Sequence, residues 1–252
     1  MEKPLILITN DDGVAAPGIH FLAQWVREMG EVYVVAPTSA RSGMSSAMTV
    51  NSPLRIVERE GYEFGRLFAV DGTPVDCVKL ALHTILPRRP DILLSGINHG
   101  SNAGNSVIYS GTMGAVFEGA MAGIPSVGYS LLSHSMNADF NECRRYIERI
   151  TKAVINKCLP ADVALNVNFP AKVKIVGMKV CRAARSHWTE EYQQFTDPHG
   201  KPFYWLTGEQ INEEPDATDT DLYWLGKNYA SVVPVVADQT ATNAIASLAQ
   251  LL

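Results

Sequence analysis

The chain has 252 residues, 46% of them hydrophobic and 19% charged, which suffices for one substantial α/β core and leaves no compositionally disordered tract. A net charge of −5 with no long Lys/Arg run argues against an extended duplex-binding surface. No apolar run approaches the roughly 18 residues of a membrane span, and the stretch in MEKPLILITN is too short for a secretion signal. A cytoplasmic location is therefore expected. Cys77, Cys143, Cys158 and Cys181 form no C-x-x-C pair and read as reduced, mostly buried thiols rather than a zinc or disulfide framework.

In chain order, Leu5–Thr9 is a short, fully apolar run of the kind buried on both faces of a sheet. Pro17 opens a helical pattern that runs to near Met29, with Gly30 as its stop, and Val32–Ala36 is a second buried strand ended by Pro37. This order predicts a right-handed crossover between parallel strands. Residues 49–70 read as less regular β structure. Thr73 caps a helix with Pro74 at its first position and Asp76 reaching back, running to about Leu86. Asp91–Ser95 is a buried strand, Gly111 to Ala122 a helix stopped by Gly123, and Ser126–Ser130 another strand. A long helix over Ala138–Lys157 and strands at Val163–Asn168 and Lys174–Cys181 follow.

The alternation predicts a Rossmann-like, doubly wound, mostly parallel sheet. The whole chain reads as one domain, with a core of about 1–181 and an aromatic-rich remainder of about 182–252. That remainder reads as a hairpin extension, a short helix, a strand at Ser231–Val236 and a terminal helix. The hairpin serves either oligomer contacts or as a lid packed over the core.

The strongest chemical signal is Asn10-Asp11-Asp12-Gly13, directly after the first strand, where open parallel sheets bind ligands. Two carboxylates ~4 Å apart repel by about 4 kcal/mol at an effective dielectric near 20, and a divalent cation offsets this. Asn98, past the strand Asp91–Ser95, and Ser42, past the second strand, belong on the same rim. Asp11, Asp12, Ser42 and Asn98 form a hard oxygen set that suits Mg²⁺, Mn²⁺ or Ca²⁺ rather than zinc or copper, with one Mg²⁺ or Mn²⁺ per subunit expected. The glycine-rich segment from Gly96 to Thr112 feeds a helix N-terminus, a ready site for phosphate. Asn102, Ser110, Gly111 and Thr112 are its phosphate-binding candidates, with Asn10 and His99 facing substrate and Asp11 as the catalytic residue. The chain lacks the G-x-x-x-x-G-K-[ST] loop of nucleoside triphosphatases.

The stretches ILITNDDGVAAPGI, VVAPTSARSG, DGTPVDCVKLAL, SGINHGSNAGNSVIYSGTMGA and FEGAMAGIPSVGYS make the chain resemble the survival protein E (SurE) family of nucleotidases, near-collinearly over roughly residues 5–130. The resemblance implies a metal bound by Asp11, Asp12, Ser42 and Asn98. It also implies hydrolysis of nucleoside 5′- and 3′-monophosphates, with some members acting on short polyphosphate. Homodimers or tetramers built from exchanged C-terminal segments are implied as well. The second half matches less: TDTDLYWLG is bulkier than the family pattern, and KNYASVVPVV keeps Ser231 and Pro234 but shifts the aromatic. Two rival readings remain open. In one, Asp11 is a covalent nucleophile. In the other, the chain is a phospho-acceptor signalling module, which the Ser-Gly-Ile-Asn ending of its later strand disfavours.

Overall fold

The structure, a computed structural model, describes residues 3–135, 137–156 and 159–251. Strand β1 (Leu5–Thr9) is wholly buried because its alternate side chains enter two different cores. Ile6 and Ile8 join Ile19, Leu22 and Val26 on one face, while Leu5 and Leu7 join Cys77, Val78, Met113 and Val116 on the other.

Helix α1 (Pro17–Val26) and strand β2 (Glu31–Pro37) complete the expected crossover, although the helix ends three residues before Met29. Arg27 closes it by donating its N–H to the Ala23 carbonyl. Strands β3 (Ile56–Arg59) and β4 (Arg66–Val70) form the irregular β region, with β3 as an antiparallel edge. Helix α2 (Pro74–Leu80) has the expected capping box, in which Thr73 and Asp76 satisfy each other's backbone N–H groups. Its continuation widens to π-type turns over Ala81–Ile85.

Strand β5 spans Ile92–His99, four residues beyond the predicted end, so Asn98 and His99 belong to the strand rather than to a following loop. The register against the next strand slips between Ser95 and Asn98. Gly96 makes this possible at φ 129°, with its α-carbon so close to the Tyr129 carbonyl that no side chain fits. Such a bulge re-aims the residues after it.

Helix α3 (Gly111–Met121), strand β6 (Ser126–Leu131), helix α4 (Arg144–Ile155) and strand β7 (Val163–Phe169) follow. Helix α4 begins six residues later than Ala138, after a single 3-10 turn at Asn141–Cys143. Its predicted last residue, Lys157, and Cys158 lie outside the described residues. Cys77, Cys143 and Cys181 are free and buried, as expected.

Strand β8 (Gly177–Val180) leads into four short strands, β9 (Ser186–Thr189), β10 (Tyr192–Thr196), β11 (Pro202–Leu206) and β12 (Glu209–Asn212). β9 pairs with β12 and β10 with β11, giving a hairpin of two tiers. Helix α5 (Asp221–Gly226), strand β13 (Tyr229–Val236) and helix α6 (Ile245–Leu251) complete the chain. The nine-stranded sheet runs β3-β4-β2-β1-β5-β6-β7-β13-β8. β13 inserts antiparallel to β7 and parallel to β8, so the last strand of the chain is interior to the sheet.

Candidate functional site

The carboxyl ends of β1, β2 and β5, the N-terminus of α3 and the inner tier of the hairpin surround a cleft of about 480 Å³. Asp11, Ser42, Asn98 and Ser110 all line it, so residues from four separate stretches of chain meet in one place. His99 and Asn102 line it as well.

Asp11 is 3% exposed. Its Oδ1 accepts the Thr112 hydroxyl at 2.5 Å, and its carbonyl accepts the Arg41 N–H at 2.6 Å. Burial, as the largest cause, pushes its carboxyl up from 3.8 to about 6; the negative charge of Asp12 adds to this, and the Thr112 hydrogen bond opposes it. Gly111 lets α3 approach so closely that a Cβ there would lie 2.8 Å from Asp11 Cβ and 3.0 Å from Oδ2. Asp12 Oδ2 accepts the His99 N–H at 3.1 Å and lies 3.1 Å from His99 Nδ1. That contact favours the proton on Nδ1, leaving Nε2 buried without a partner among the described residues. Asn98 donates its amide to the Gly100 carbonyl at 3.0 Å, which leaves the amide oxygen as its accepting end.

Asn10 does not reach the cleft. Its amide donates to the Gly13 carbonyl at 2.9 Å and shapes the turn, with Gly13 at φ 97°. Ser110 caps α3 by accepting the Met113 N–H at 3.0 Å, as its position implied. The Thr112 side chain is fully buried and committed to Asp11. What Thr112 and Gly111 offer an anion is therefore their main chain at the helix N-terminus.

Among the described residues no three His, Cys, Asp or Glu side chains are grouped so as to hold a metal ion. Among the described residues neither site carboxylate has a lysine or arginine ion-pair partner, and Asp12 has only His99. The buried Asp11 and the adjacent, partly buried Asp12, with the Asn98 amide and the Ser42 hydroxyl at the same cleft, form a set chemically suited to a hard cation.

Several residues that hold the site escape any local motif. Asn168 Oδ1 accepts the Asn102 N–H and Asn166 donates to the Asn102 carbonyl, each at 2.8 Å, while the Asn102 amide donates to Ser130 Oγ at 2.8 Å. Asp221, fully buried, accepts N–H groups from Gly104, Ala184 and Leu222 at 2.8, 2.9 and 2.8 Å. Ser186 Oγ accepts the Asn105 N–H at 3.0 Å, and Gln210 donates to the Ala103 carbonyl at 3.0 Å. The inner tier β9–β12 is thus seated on the glycine-rich loop, as the lid alternative predicted. The outer tier β10–β11 projects, with Tyr204 61% and Trp205 65% exposed.

The profile of the family described as "Survival protein SurE" matches residues 6–190. A protein of Christiangramia forsetii named "5'-nucleotidase SurE" is 48% identical over 98% of this chain and 96% of its own length. One of Phocaeicola vulgatus with the same name is 48% identical over 95% and 93%. The crystal structure of the SurE protein from Aquifex aeolicus superposes with a TM-score of 0.83 at 37% identity, covering 98% of this chain and 99% of that one. With matches this extensive in sequence and structure, the chain belongs to the survival protein SurE family.

Proposed function

We propose that the chain is a 5′-nucleotidase, a divalent-metal-dependent phosphomonoesterase that hydrolyses nucleoside 5′- and 3′-monophosphates to nucleoside and phosphate. The observation that supports this most directly is the meeting of Asp11, Ser42, Asn98 and Ser110 in one cleft at the N-terminus of α3. The activity in the relatives' names agrees with the 5′ reaction.

Asp11, Asp12, Ser42 and Asn98 would hold one Mg²⁺ or Mn²⁺ per subunit. When bound, such an ion supplies a Lewis acid that draws charge from a phosphoryl oxygen. The N–H groups of Gly111 and Thr112 hold the other phosphoryl oxygens, aided by the α3 dipole. Asp11, fixed by Thr112 and Arg41, orients the attacking water in line with the leaving oxygen. His99 braces Asp12 through Nδ1 at the wall of the cleft.

The whole chain acts as one domain in this reading, since the extension braces the loop that binds phosphate. The projecting aromatics of β10–β11 suit self-association as a homodimer or tetramer in the cytoplasm. Among the described residues no helix is long and apolar enough to cross a membrane.

The test is phosphate release from 5′- and 3′-monophosphates and short polyphosphate, with chelator and with added Mg²⁺ or Mn²⁺. Turnover should vanish with chelator, return with metal and fall by several orders of magnitude in Asp11→Asn. Chelator-insensitive turnover, or a phosphorylated enzyme trapped by acid quench, would overturn the mechanism.

A further inference from the structure

Trp188 occupies a position that the phosphate chemistry does not explain. β9 and β12 pair with Ser186 opposite Asn212 and Trp188 opposite Gln210. Residues directly opposite, and those two apart on one strand, share a face of an antiparallel pair. Ser186 and Gln210 fix which face this is, because both bond the loop at Ala103–Ser106: Ser186 accepts from Asn105, and Gln210 donates towards Ala103 and Ser106. Trp188 is therefore turned to the same side, and it lines the cleft that also contains Asp11 and Asn98. Trp188 is 38% exposed, so it is not consumed by core packing.

Two polar side chains on this face are already committed. The Gln210 amide is directed at Ala103, Ser106 and Ser186, and the Asn105 amide donates to the Ser186 carbonyl. This part of the cleft thus offers an aromatic surface beside amides that are already engaged. Stacking on such a surface tolerates every base and grows with ring area.

We propose that Trp188 is the platform on which the nucleobase of the substrate stacks, so that specificity is set by stacking area rather than by base-edge hydrogen bonds. This rests on the phosphomonoesterase reading above. Purine monophosphates are then preferred over pyrimidine ones, and both over ribose 5-phosphate, which has the sugar and phosphate but no base.

The experiment compares kcat/KM for AMP, CMP and ribose 5-phosphate in the wild-type protein, Trp188→Ala and Trp188→Phe, with thermal melts to check folding. Trp188→Ala should lose roughly 5- to 100-fold on AMP, mainly through KM, less on CMP, and nothing on ribose 5-phosphate. Trp188→Phe should restore much of the AMP loss, and AMP should quench tryptophan fluorescence in the wild type but far less in Trp188→Ala. An equal loss on ribose 5-phosphate, or no loss on AMP, overturns the platform while leaving the phosphatase reading intact. A wild-type protein that hydrolyses none of the three removes the phosphatase reading itself, and the platform with it.

Discussion

Gly111→Ala isolates the approach of α3 to Asp11. The new methyl carbon would lie 2.8 Å from Asp11 Cβ, 3.0 Å from Asp11 Oδ2 and 3.3 Å from the Arg41 carbonyl. Carbon atoms in comfortable contact are ~3.5–4.0 Å apart, so Asp11 or the helix start must move by about 0.7–1 Å. Asp11 cannot retreat freely, because Arg41 holds its main chain at 2.6 Å and Thr112 holds its carboxyl at 2.5 Å. A displacement near 1 Å of a catalytic group costs on the order of 10²-fold in rate. Stability is affected far less. Gly111 is the first residue of a helix, where alanine is favoured over glycine by up to about 1 kcal/mol, which offsets part of the clash. Steady-state turnover of a nucleoside monophosphate in saturating Mn²⁺, alongside a thermal melt, should show kcat down about 10²-fold with Tm nearly unchanged. Wild-type kcat in a folded Gly111→Ala protein would refute the claim that this close contact positions Asp11.

Two other predictions concern stability. Burial raises the Asp11 carboxyl from 3.8 to about 6, so in the metal-free protein its charge opposes folding. The opposition is absent below about pH 4, builds as pH rises from there to about 6, and levels off at about 3 kcal/mol above that. Bound cation relieves it, so the Tm gain on adding Mn²⁺ should be clearly larger at pH 8 than at pH 5; an equal gain at both would count against Asp11 as a ligand. Asp221→Ala strips three buried N–H groups of their acceptor and should lower stability by about 2–4 kcal/mol in a denaturant titration, with reduced turnover at temperatures where the protein stays folded. An unchanged midpoint and unchanged turnover would show that the brace is dispensable.

What could be read from the sequence was local or followed a general rule of parallel sheets. Thr73 and Asp76 announced a helix start because a capping box needs only four residues. Asp11 lines the cleft, a position legible in advance because ligands gather beyond the carboxyl ends of such strands. Asn98 was assigned to a loop for an equally local reason: Gly96 reads as a turn, and only the slipped register against β6 shows that the strand resumes after it. Asp221 and Trp188 were not legible as site residues, since neither carries a motif. Asp221 looks like an ordinary acidic residue in a first helical turn, and its partner Gly104 lies 117 positions away. The place of β13 between β7 and β8 was invisible for the same reason, because strand order across such distances leaves no periodic trace.

That interior last strand, together with Asp221, ties competence to completion. By the time residue 131 has left the ribosome, all four candidate cation ligands have been synthesised, yet the brace on Gly104 and the partner of β7 have not. A truncated or early-terminated chain carries the chemical groups but leaves a bare β7 edge and an unanchored phosphate loop. Such a fragment would hold the proposed ligands without the scaffold that positions them, so the order of strands makes the site one of the last things the chain completes.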